Sequence, residues 1–180
     1  ARLYLLEGPL EAETVERIIA HLSQFADYCI EEKHAVLFIP FESSSSADMR
    51  ERAIIRAIVN RLKKKEHAHV LMNMRLPQHV LFAMQQHCDA LVCTRLHSAV
   101  FATNATVPFI GISYNKMHDG FYDLIKWPSH LHSRIDTFSG DFLCEQYAVL
   151  VKEYDTMTAH LREQKKDLTA SIRAEMKSIT

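Results

Sequence analysis

Arg95 and His97 stand two residues apart, just after the apolar run Ala90-Leu91-Val92-Cys93 and just before the small-residue stretch Ser98-Ala99-Val100-Phe101-Ala102. A guanidinium presents a planar fork of donors that matches a carboxylate or a phosphate. An imidazole gives or takes a proton near neutral pH. In an open parallel sheet, ligands gather at the carboxyl ends of the strands, where helix N-termini offer free N–H groups. The segment Thr94-Arg95-Leu96-His97 would lie at such a place, with the N–H groups of about His97 and Ser98 unpaired. It reads as an anion-binding and acid-catalysis site. A purely structural reading stands beside it: Arg95 in an ordinary salt bridge, and His97 hydrogen-bonded to a neighbour at the helix start.

The elements that must position these residues follow from the apolar periods, which alternate between strand-like and helix-like. Short apolar runs predict strands at Arg2–Leu6, Ala35–Phe41, His69–Met72, Ala90–Cys93 and Phe109–Ser113, with an edge strand at Ser133–Ile135. Ala35–Phe41 has the continuous pattern of a strand buried on both faces. Spacings of three and four predict an amphipathic helix over Glu11–Lys33. Further helices are expected over Asp48–Lys65, capped by Ser46 or Asp48, from Pro77 to about Cys88, over Leu96–Asn104, and for a turn or two over Gly120–Ile125. From Asp141 to about Ile179 the chain is expected to be helical with a break midway, and Leu143, Tyr147, Leu150, Val151, Tyr154, Met157 and Leu161 to pack. The fold class is α/β: a doubly wound, mostly parallel sheet of five or six strands flanked by helices. The 180 residues are expected to form a single Rossmann-like domain with a helical C-terminal extension over about 141–180.

Composition removes several classes of function. A net charge of −1 gives no general attraction to nucleic acid or anionic membranes. The basic runs Lys63-Lys64-Lys65 and Lys165-Lys166 read as solvated helix faces. Cys29, Cys88, Cys93 and Cys144 form no CxxC pair and read as reduced thiols. The histidines are scattered, without HExxH or zinc-finger spacing, so a structural metal is not expected. No cofactor is expected either. No apolar run approaches the length of a membrane span. The chain begins at Ala rather than Met, which suggests a piece of something longer.

The run RLHSAVFATNATVPFIGISYNKMHDGF, from Arg95 to Phe121, resembles the signature of the polysaccharide pyruvyl transferase family. In that signature an Arg-Leu-His turn enters a small-residue helix, followed by a strand ending in tyrosine and a loop with lysine and glycine. The Phe38-Ile39-Pro40 strand end with Asp48, and Leu76-Pro77 leading to Cys88-Asp89-Ala90-Leu91-Val92, fall in the order that family uses. Similarity extends from residue 1 to about 150, with the signature over 91–121.

The resemblance implies a GT-B-like architecture of two Rossmann-like halves around a cleft, of which this chain matches the C-terminal, donor-side half. It implies transfer of the pyruvyl group of phosphoenolpyruvate, a co-substrate, to two hydroxyls of a glycan sugar, forming a cyclic ketal. Arg95 would then bind an anionic group of the donor, and His97 would be the general acid or orient it. Leu96, Ser98, Ser113, Tyr114 and Lys116 would line the substrate site. Tyr114 has an equal claim as a half-buried aromatic at a strand end. The family usually carries lysine three residues after the tyrosine; here Lys116 is two after, and Met117 holds the expected place. Either the loop shifts to bring Lys116 to the cleft, or the basic contact is lost and His118 and Asp119 supply polar contacts instead.

The implied partners are phosphoenolpyruvate, a saccharide acceptor, and an N-terminal domain or second subunit that completes the cleft. The implied location is cytoplasmic, or peripheral to the membrane where glycan is assembled. The Glu42–Ser46 loop reads as a connector or as part of the cleft wall, and His130 and His132 as surface residues. Two other readings remain: a non-catalytic glycan- or protein-interaction module, and a sugar-nucleotide glycosyltransferase half. Only four glycines, and no glycine-rich phosphate loop, weigh against the last.

Overall fold

A computed structural model of the protein describes residues 12–41, 45–71 and 76–179. The expected strand Arg2–Leu6 and most of the Glu42–Ser46 loop lie outside these residues. The chain divides into two compact units: residues 1–75 with 134–145, and residues 76–133 with 146–180.

In the first unit, helix α1 (Ala12–Glu31) buries Ile18, Ile19, Ala26, Cys29 and Ile30, the stripe its three-and-four spacing predicts. Helix α2 (Ser45–Arg61) packs on it, with Ile54 and Ile58 against Ile19. Strands β1 (Val36–Phe38) and β2 (Ala68–Val70) pair in parallel, Val36 opposite Ala68. Val36 and Phe38 pack on the cluster of Ala26, Ile30 and Leu62. Leu37 points the other way and is 38% exposed, so β1 is not buried on both faces as its apolar run suggested. The strand stops short of Phe41 because Pro40 has no N–H to continue a ladder. Arg17 ties residues 134–145 to α1, donating to the carbonyls of Ile135 at 2.8 Å and Phe138 at 3.3 Å.

The second unit holds a three-stranded sheet in the order β3-β4-β5, formed by Leu91–Cys93, Phe109–Ser113 and His132–Arg134, the last ending at the unit boundary. β3 and β4 are parallel, with Leu91 opposite Phe109 and Cys93 opposite Gly111. Every residue of β4 is buried. Helix α3 (Gln78–Gln85) starts after Pro77, and α4 (Leu96–Ala105) links β3 to β4. Helix α5 (Lys116–Leu124) leaves β4 through Asn115. Phe109 stacks on Trp127 with ring centroids 4.3 Å apart. Helix α6 (Gly140–Lys152) is separated from α7 (Tyr154–Ile179) by Glu153, the expected midway break. α7 packs on α4, and Lys165 donates to the Asn104 carbonyl at 2.5 Å.

The chain is therefore mixed α/β, with parallel strands flanked by helices. The single sheet of five or six strands is corrected: the described residues hold five strands in two small sheets. Four of these strands are three residues long, so each ladder ends after a few rungs. Among the C-terminal apolar residues, Leu143, Leu150, Met157 and Leu161 are buried, whereas Val151 and Tyr154, flanking the break, are exposed. Among the described residues, no helix is long and apolar enough to cross a membrane.

Candidate functional site

The parallel pairing of β3 and β4 sets the site. Cys93 lies opposite Gly111, so the chain two residues beyond each, at Arg95 and Ser113, emerges at the same carboxyl edge of the sheet. Arg95 is the N-cap residue of α4, in extended conformation (φ −121°, ψ 139°), and its side chain does not cap the helix. Arg95 as a whole is half-buried. The Arg95 carbonyl accepts from the N–H groups of Ser98 at 3.0 Å and Ala99 at 3.3 Å. Ser98 N–H is therefore engaged, contrary to the expectation that it stands free; a helix start leaves over the N–H groups nearer its first residue.

His97 is exposed and Leu96 half-buried. Ser98 turns inward: its hydroxyl accepts from Gln85 Nε2 at 3.0 Å and donates to Cys93 Sγ at 3.4 Å. Burial pushes the Cys93 thiol up to about 12, so it is no thiolate nucleophile at neutral pH. The small residues that follow have a packing reason, since Ala99 and Ala102 are fully buried.

At the end of β4, Ser113 is fully buried, and its hydroxyl has no hydrogen-bond partner among the described residues. Tyr114 is buried rather than half-buried, its ring centroid 4.3 Å from that of His118. The segment after it, read from sequence as a loop up to Gly120, is already helical from Lys116. Asn115 caps this helix, its Oδ1 accepting from the N–H groups of Met117 at 3.1 Å and His118 at 3.2 Å. Lys116 is an exposed first residue of α5, and Met117 beside it is 66% exposed.

By sequence His118 is only a substitute for a lost lysine contact. It is fully buried, with Nδ1 2.8 Å from Asn115 Oδ1. Burial lowers its pKa to about 4; the charge of Arg95 pushes the same way, and Asp119 opposes. It is a neutral imidazole within electrostatic reach of Arg95. The signal for its burial is its place one turn before Tyr122 on the apolar face of α5, where both are buried. Of the two outlying histidines, His130 is exposed, whereas His132 is half-buried with its ring 4.8 Å from that of Tyr122.

The sequence model of the family described as polysaccharide pyruvyl transferase matches residues 9–116, more than half of the chain. The chain belongs to that family. The matched stretch takes in the Arg95–Ser98 turn, the Ser113–Tyr114 strand end and Lys116, so the family match and the sheet edge coincide. Comparison with curated proteins and with solved structures returned no match. Membership in the pyruvyl transferase family makes the chain part of a transferase family whose described acceptor is a polysaccharide.

Proposed function

We propose that this chain is the donor-side half of a GT-B-like pyruvyl transferase, acting on phosphoenolpyruvate and a glycan sugar. The observation that carries the reading is the coincidence of Arg95, His97, Ser113 and Tyr114 at one carboxyl edge of a parallel sheet, inside the stretch that matches the family. Arg95 clamps the carboxylate or the phosphate of the donor. His97, exposed at the first turn of α4, delivers a proton to the methylene carbon. The cation formed at the neighbouring carbon is attacked by one sugar hydroxyl; the C–O bond to phosphate breaks, and the second hydroxyl closes the ketal. Of the two hydroxyl protons released, one balances the proton given to the methylene and the other leaves on phosphate. Leu96 shapes the pocket, and Lys116, Tyr114 and Ser113 are the further contacts proposed. The acceptor and the other wall of the cleft are assigned to an N-terminal half or a second subunit, in the cytoplasm or at the face of the membrane where glycan is assembled.

The test is calorimetric titration with phosphoenolpyruvate and turnover of a glycan acceptor, using an assembly that contains both halves. Arg95→Ala is expected to weaken donor binding at least tenfold. His97→Ala is expected to keep donor affinity and lose about 10²- to 10⁴-fold in turnover, the usual range for a proton-transfer group. Absence of saturable phosphoenolpyruvate binding to the two-half assembly sinks the pyruvyl reading and leaves the non-catalytic module.

A further inference from the structure

Among the described residues of the second unit, six enclosed polar atoms have no hydrogen-bond partner, and three of them belong to the end of β4 and to α5: Ser113 Oγ, His118 Nε2 and Tyr122 Oη. Ser113 and His118 are 0% exposed and Tyr122 is 1% exposed. Gly111 and Ser113 present to the same face of β4, because side chains alternate with a period of two. The Tyr122 hydroxyl lies against the Cα of Gly111, where a side chain would otherwise stand. His118 precedes Tyr122 by one turn on the same face of α5, with ring centroids 6.4 Å apart. α5 leaves from the end of β4 and brings Tyr122 back over Gly111, and His118 lies one turn nearer that strand end, its ring also against Tyr114.

The donors and acceptors can be assigned. Asn115 Oδ1 accepts from two backbone N–H groups, which identifies it as the amide oxygen. The Nδ1 atom of His118, 2.8 Å from that oxygen, must therefore carry the ring proton and donate it. Nε2 is left with a lone pair, and the burial of the ring keeps it so. The three orphan atoms are thus one acceptor and two hydroxyls. A guest suited to them must donate to Nε2 and also meet hydroxyl groups that both donate and accept. A fully deprotonated anion has no proton for Nε2, an apolar guest satisfies none of the three, and the enclosure of all three residues at 0–1% exposure leaves out larger hydroxyl-bearing guests. Water does both, and buried polar sites of two to four partners are where proteins hold it.

We propose that Ser113 Oγ, His118 Nε2 and Tyr122 Oη form a binding site for one buried water molecule, with His118 locked as its Nδ1–H tautomer. The site links the base of α5 to the end of β4. Ser113 is also among the contacts proposed for the substrate; the water site rests on the burial of these three side chains and is tested without donor or acceptor.

The test uses the free chain, without donor or acceptor. Nitrogen-15 NMR of the histidine rings at pH 6 is expected to show His118 neutral with the proton on Nδ1. A high-resolution crystal structure is expected to show one solvent peak within hydrogen-bonding distance of all three atoms. In His118→Phe, which keeps a buried ring beside Tyr114, the peak is expected to disappear. The opposite tautomer overturns the proposal. So does a crystal structure in which Nε2 bonds a hydroxyl directly with no solvent between, or one in which the peak persists unchanged in His118→Phe.

Discussion

Gly111 is a residue whose identity is dictated by a single neighbour. It sits in the middle of β4, paired with Cys93, and a Cβ built on it would fall 2.5 Å from Tyr122 Cζ and overlap the hydroxyl. Both residues are buried, so the overlap is relieved only by moving α5 away from the strand. Gly111→Ala is therefore expected to destabilise the second unit by about 1–3 kcal/mol, the usual cost of overpacking. Urea denaturation followed by the fluorescence of Trp127, the chain's one tryptophan, measures it. Adding Tyr122→Leu removes the ring that clashes, so the double variant should lose less than the sum of the two single ones. Strict additivity would mean that the glycine answers to something other than Tyr122. The same contact fixes where the Tyr122 hydroxyl sits, and so this glycine also shapes the place proposed for the buried water.

At the scale of elements, the turn from α4 into β4 carries a local conflict. Thr106 ends α4 in the left-handed region (φ 58°, ψ 35°), while the N–H of Val107 bonds back to the Ala102 carbonyl at 3.0 Å. This is the geometry in which helices usually place glycine, and a β-branched residue there is a strained choice. Thr106→Gly is expected to raise stability by about 1 kcal/mol, read as a higher denaturation midpoint with unchanged slope. A fall would show that the threonine side chain contributes more than its backbone costs. Element boundaries in this region were otherwise legible: β4 spans the predicted Phe109–Ser113, and α4 begins at the predicted Leu96. Proline and the switch of apolar period mark both. What escaped was the start of α5, because Lys116, Met117, His118 and Asp119 look polar enough for a loop; the capping potential of Asn115 was the unread signal. The sheet was overestimated for a related reason: an apolar run shows that a segment is partly buried, and does not show how many rungs it forms or which strands adjoin it. For the candidate site, residue types and order were legible at Arg95 and His97. The inward turn of Ser98 and the burial of His118 depend on contacts with Gln85, Asn115 and Tyr122 that no local pattern encodes.

Across the whole molecule, histidines held neutral by burial tie stability to pH. His21 in the first unit and His118 and His132 in the second all have pKa values lowered, in each case chiefly by desolvation. Arg17 at His21, Arg95 at His118 and His130 at His132 push the same way. Asp141, Asp119 and Asp123 partly oppose this. The folded chain therefore binds fewer protons than the unfolded chain below the ordinary histidine value, and stability must rise with pH through that window. For His118 the window runs from 6.5 down to about 4. Its contribution is complete above the upper limit and lost progressively as pH falls toward the lower one, amounting to roughly 3 kcal/mol at most. The free energy of unfolding, measured by urea titration at half-unit steps between pH 4 and pH 7.5, should fall toward acid. Carboxylates contribute to that slope as well, so the decisive quantity is the difference between the chain and His118→Phe. The variant loses its bond to Asn115 at every pH, which lowers the whole curve, but it should also be flatter by up to one proton between pH 4.5 and 6. Parallel curves would show that His118 takes up its proton as readily in the fold as outside it, and the neutral, enclosed imidazole beside Arg95 would have to be given up.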